Sequence, residues 1–153
     1  MYFAVIVLLM LVLPAASVIV EALRLGGAAD IMVLVGKWFV FWAVGVRLFI
    51  AGVRQVAQTQ YTAETIFEIK DRAALAIVRE LGFANLSTGT LGLASLAVSA
   101  WVVPAAIVGG LYYGLAAAGH VFRSGRNFIE QTALISDVFA FVVLAAFVVS
   151  RSF

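Results

Sequence analysis

Residues 1–20, MYFAVIVLLMLVLPAASVIV, contain no charged side chain, and neither do residues 100–119, AWVVPAAIVGGLYYGLAAAG. Residues 131–150, QTALISDVFAFVVLAAFVVS, hold one, Asp137. Roughly 20 apolar residues at about 1.5 Å rise cover a hydrocarbon core of about 30 Å, so each stretch has the length of a transmembrane helix. Two further stretches, 35–56 and 80–100, match that length while carrying charge. The chain therefore reads as all-α, a polytopic transmembrane helical bundle of about five spans, near 2–22, 35–56, 80–100, 102–122 and 131–150. Residues 1–153 form a single transmembrane domain in this reading, with one short interfacial helix in the 57–79 segment.

Composition agrees. At 153 residues, 65% hydrophobic and 12% charged, with a mean hydropathy of +1.13, the chain leaves no room for a soluble domain beside its spans. The net charge of +2 is scattered over the links and forms no basic block, so nucleic acid is not an expected partner. With zero cysteines, disulfides, thiolate metal sites and thiol redox chemistry drop out together. Leu13-Pro14-Ala15-Ala16-Ser17 resembles a signal-peptide cleavage region. Yet no basic segment precedes it and the apolar run continues through Val20, so residues 2–22 read as a true span with a kink at Pro14.

The links carry their own signals. Gly26-Gly27 and Asp30 follow the first span, and Ser124-Gly125 separates the last two. In 57–79, Ile66, Ile69, Ala73 and Ile77 recur at helical spacing among Glu64, Glu68, Lys70, Asp71, Arg72 and Arg79, as on a helix at a membrane surface. The short turn at 99–104 predicts an antiparallel hairpin of spans three and four, with Trp101 at headgroup level, as Trp38 and Trp42 are at other spans. Arg54, Lys70, Arg72, Arg79, Arg123 and Arg126 would share one face, against Arg24, Lys37 and Arg151 on the other. The positive-inside rule then places the N-terminus in the cytoplasm and the C-terminus outside.

Two sets of residues carry the argument toward function. The first is a packing seam. Gly82, Asn85, Thr88-Gly89, Gly92, Ser95 and Ser99 lie on one face of span three, and Ala106, Gly110, Gly114 and Ala118 form a small-residue ladder on span four. Such faces let helix backbones approach closely, whether each other's or a second subunit's. The second set is polar: Arg47, Arg54, Glu80, Asn85, His120, Asn127, Glu130 and Asp137. Charges within spans cost about 2.5–3.5 kcal/mol at a helix centre and usually face the bundle interior or water. Arg47 and Arg54, seven residues apart, share a face of span two; Glu130 and Asp137 repeat the spacing on span five. Alternation of the chain brings Arg54, Glu80, His120 and Glu130 to one membrane side. Arg47 would pair with Asp137, and Arg54 with Glu80 or Glu130. The set either settles charges and fixes helix packing, or forms a pocket for a proton, a small ion or a lipid headgroup.

No catalytic motif is present, no metal ligand set is complete, and no cofactor is expected; His120 has no second histidine to pair with at a haem. The run Glu80-Leu81-Gly82-Phe83-Ala84-Asn85-Leu86, then Gly89-x-x-Gly92, His120 and Asn127-x-x-Glu130, resembles an uncharacterised family of small bacterial multi-span membrane proteins. That resemblance covers the chain from about residue 36 onward and implies the bacterial inner membrane, without an activity. Arg123, Asn127 and Glu130 also echo the membrane-associated eicosanoid and glutathione metabolism proteins, four-span trimers. Here the motif opens the last span instead of an early one, so neither trimer nor glutathione binding carries over. Three functions stay open: a structural or accessory subunit that self-associates or joins a larger complex in the bilayer, a small transporter or channel-like protein, and an enzyme acting on a lipid or quinone-like substrate.

Overall fold

The computed structural model describes residues 2–121 and 128–152, and these are helical throughout apart from short links, with no strand among them. The helices are α1 (2–24), α2 (Ile31–Ala57), α3 (59–66), α4 (Ala74–Ala94), α5 (Val102–Val121) and α6 (Phe128–Ser152). Among the described residues four helices are long and apolar enough to cross a membrane: Phe3–Arg24, Ile31–Ala57, Ser99–Val121 and Glu130–Ser152. The chain is thus a small helical integral membrane protein. α4 corresponds to the remaining expected span. Its 21 residues have the length to cross, at about 1.5 Å each, but it is the most polar of the five and begins at Ala74 instead of near 80. Arg79 and Glu80, which mark a boundary in the sequence, lie exposed on the side of its first turns.

Helix α2 is central. It packs on α1, α4, α5 and α6, whereas α1 lies at an edge and is less buried than α2. The core joins Ile6 and Met10 of α1, Val40, Val44 and Leu48 of α2, Tyr113 of α5 and Leu144 and Phe147 of α6. Among the described residues three helices widen into π-helical turns, at Leu8–Val12, Val40–Val46 and Thr62–Ile66. The first has a direct cause. Pro14 offers no N–H and its ring crowds the carbonyl four residues back, so the preceding turn loosens and Leu13 N–H reaches Leu8 O. The kink expected at Pro14 takes this form, and it buries Leu9 and Met10 in succession.

The two small-residue seams are used within the chain, and not against each other. A Cβ on Gly92 would lie 2.7 Å from Gly45 Cα, one on Gly52 would lie 2.7 Å from Gly82 O, and one on Gly89 would lie 2.7 Å from Phe49 Cα. The seam of α4 therefore fits backbone-to-backbone on Gly45 and Gly52 of α2, a close approach that only glycine permits. The ladder of α5 faces α6: Gly110 opposes Leu144, Gly114 opposes Phe141, and Ala106 is buried, while Ala118 is exposed. Consecutive helices α4 and α5 are joined through the turn at 95–98 and a short 3-10 turn at Ser99–Trp101, but each finds its main partner elsewhere.

The 57–79 link is not one helix. α3 ends where Glu68 takes a left-handed φ of 57° and Ile69 N–H closes onto Ala63 O at 2.9 Å. Asp71 then accepts from Ala73 N–H at 2.9 Å just before α4 starts. The apolar period at Ile66, Ile69, Ala73 and Ile77 is thereby split between the last residue of α3, a loop and the first turn of α4.

Candidate functional site

Arg47 and Asp137 meet as the seven-residue spacing anticipates. Nη1 and Nη2 of Arg47 lie 3.4 and 3.3 Å from the same oxygen, Oδ1 of Asp137. Asp137 is 5% exposed. The guanidinium also sits 5.0 Å from the ring centre of Tyr113, which is fully buried and donates its phenol to the carbonyl of Ala43. The π-helical turn in α2 explains that acceptor. Arg47 N–H bonds Trp42 O, five residues back, so it does not occupy Ala43 O in the usual four-residue pattern. Tyr113 thus holds one side of the widened turn while its ring supports the arginine by a cation–π contact.

The pair borders a cavity of about 300 Å³ between α1, α2, α4, α5 and α6, beneath α3 and the start of the link that follows it. Arg47, Arg54, Gln55, Asn85, His120 and Asp137 bring polar groups to it, together with Tyr112 and Thr62. Its remaining wall is apolar, including Ile6, Leu9, Leu48 and Phe67. The ends of α2 and α5 and the starts of α4 and α6 therefore do come to one side, as alternation of the chain requires. Asn85 is 2% exposed and donates Nδ2–H to Gln55 Oε1 at 2.8 Å, tying α4 to α2 beside the cavity. Among the described residues, every buried side-chain nitrogen and oxygen has a hydrogen-bond partner, as a dry surrounding demands.

Other members of the polar set lie elsewhere. Arg54 stacks over the ring of Tyr61 at 5.0 Å instead of pairing with Glu80, which is exposed and outside the cavity wall. Glu130 is half-buried at the start of α6 and does not line the cavity. Asn127, like Arg123 and Arg126, falls outside the described residues.

Sequence reading missed two features. Gln55 and Tyr113 complete the site, and their signal was present: an amide one residue from Arg54, and a phenol midway along an uncharged span. A second polar knot lies at the opposite end of the bundle. Lys37 Nζ reaches both oxygens of Glu21, at 2.6 and 2.9 Å, and Trp38 Nε1–H donates to Glu21 Oε2 at 2.5 Å. Trp42 Nε1–H donates to Ser17 Oγ at 3.0 Å, one turn further in. Asp30 caps α2 by accepting from Met32 N–H at 2.9 Å, and Arg151 reaches its other oxygen at 3.3 Å.

No family model, curated protein or solved structure matches the chain.

Proposed function

We propose that the protein is a membrane-embedded binding protein whose cavity receives a small anionic group. The observation that carries this reading is that Arg47, Arg54 and His120 all border one open space, even where, as in Arg47–Asp137 and Asn85–Gln55, neighbouring polar groups of its wall also bond one another. A cavity of about 300 Å³, mostly apolar with a few convergent polar groups, has the make-up of a small-molecule site. Its wall holds two arginines, Arg47 and Arg54, against one carboxylate, Asp137, so the surplus charge is positive. Arginine donors suit carboxylate and phosphate oxygens. If the lysine and arginine bias sets the orientation, the cavity opens toward the cytoplasm, at the N-terminal end of α1.

A purely structural or accessory role is the second reading, and the hydrogen-bonded Asn85–Gln55 pair favours it, because that contact fixes helix placement without needing a ligand. The small-residue seams that suggested self-association are engaged inside the chain, so they no longer argue for it.

His120 is the chain's single histidine and lines the cavity, which makes it a clean reporter. In protein labelled at histidine and held in phosphatidylcholine nanodiscs, titration with butyrate or methyl phosphate should give a saturating shift of the imidazole resonances. Arg54→Gln should weaken that response at least several-fold. Resonances indifferent to both anions would leave the structural role.

A further inference from the structure

A second hollow adjoins the cavity. It is an apolar groove of about 370 Å³ between α1 and α6, lined by Phe3, Val7, Met10 and Leu11 on one side and by Ile135 and Phe139 among others on the other. Ile6 belongs to both walls. α6 turns neighbouring residues to the two spaces: Thr132 and Ser136 to the groove, Ala133 and Asp137 to the cavity. On α1 the widened turn does the same, sending Leu9 to the cavity and Met10 to the groove. One side chain, Ile6, is the wall that both spaces share.

The two hollows differ in chemistry as the two ends of an amphiphile do. The cavity has the surplus positive charge. The groove has hydroxyls, but Thr132 Oγ1–H is turned back onto Phe128 O at 2.8 Å and Ser136 Oγ–H onto Ala133 O at 2.9 Å. Back-bonded hydroxyls of this kind offer little to a polar ligand, so the groove suits hydrocarbon. Phe3, Leu11 and Ile135 are exposed along it, a surface that lipid chains would cover in a bilayer.

We infer that the ligand is a single-chain amphiphile with an anionic head. The head lies beside Arg54 and His120, and the chain passes Ile6 into the α1–α6 groove. The inference rests on the anion-binding reading of the cavity and adds the ligand's class and its lateral entry from the bilayer.

Photo-labelling tests it with two dodecanoates, one bearing a diazirine near the carboxylate and one at the terminal carbon, added to the full protein in phosphatidylcholine nanodiscs. The near-head probe should label residues of the cavity wall such as Tyr112 and Ala116. The terminal probe should label groove residues such as Val7, Met10, Ile135 and Phe139 more strongly than lipid-facing positions such as Leu111 and Leu115. Ile6→Trp should reduce the groove label at least several-fold and leave the cavity label in place. Ile135→Trp, which narrows the groove from an exposed position, should act likewise and guards against a folding defect in the first variant. Cavity labelling with a terminal label spread evenly over lipid-facing residues, or untouched by both variants, overturns the chain route and leaves the anion site standing. Absence of near-head label from the cavity overturns both.

Discussion

The two ends of the bundle each carry an ion pair, and the pairs are built differently. Glu21 receives Lys37 on both oxygens, the nearer at 2.6 Å, and Trp38 as well, so its acceptors are engaged by two residues adjacent on α2. Arg47 approaches one oxygen of Asp137 at 3.3 Å, across from α2 to α6, with its plane against Tyr113 and its flank on a cavity. The first pair is the more exposed, at 31% and 25% of the side chains against 16% and 7%. A saturated pair between sequence-adjacent helices does the work of a clasp. The looser, deeper pair joins distant helices beside open space.

Breaking the deep pair from one side should have the largest effect. Arg47→Ala leaves Asp137 buried without its cation and should cost about 3–5 kcal/mol of unfolding free energy, read from reversible unfolding in mixed micelles. Replacing both partners by leucine should recover most of that loss, because the desolvation penalty leaves with the charges. A double variant as unstable as the single would mean that the pair contributes more than charge balance.

Next in size is Gly92→Leu. Its side chain would press on Gly45, where a Cβ already falls 2.7 Å from Cα, and overpacking of this kind costs about 1–3 kcal/mol. This substitution also sharpens the contrast between the ends. Gly45 and Gly52 lie in the half of α2 that carries Arg47, so hydrogen exchange should quicken there while the half near Lys37 and Trp38 stays protected. Uniform loosening of α2 would mean that the two ends are not independent.

Glu21→Gln should cost under about 1 kcal/mol, since the pair sits at a helix end with partial solvent contact. The loss should shrink as salt is raised, whereas the Arg47 variant should be indifferent to salt. Smallest of all is Arg151→Ala. Its contact with Asp30 is about half exposed on both sides, at 44% and 54%, and thermal stability should not change measurably.

Much of this contrast was legible in the sequence, and the limits have physical causes. Length and hydropathy gave the long helices, because a bilayer demands them. Height along a helix also follows from counting, which is why Arg47 and Asp137 were matched across 90 residues of chain. Direction around the axis does not follow as easily. Arg54 stood at the right height for Glu80, yet turns to Tyr61. A small-residue stripe likewise says what a face permits and not which helix it meets. The glycines of α4 were read, but their partners Gly45 and Gly52 were not, although they repeat at seven residues. Tyr113 escaped because a phenol counts as apolar by hydropathy while its hydroxyl needs a buried acceptor.

Whether the Arg47 end is an open site and not a second clasp can be tested directly, because the native chain holds no cysteine. Single cysteines at Ala116 and Ala133, which line the cavity, and at Ala140, buried in the core at 1% exposure, would be treated with a charged, membrane-impermeant methanethiosulfonate in nanodiscs. Reaction at Ala116→Cys and Ala133→Cys, slowed by dodecanoate, with none at Ala140→Cys, is the predicted result. Cavity cysteines as inert as the one at position 140 would contradict it.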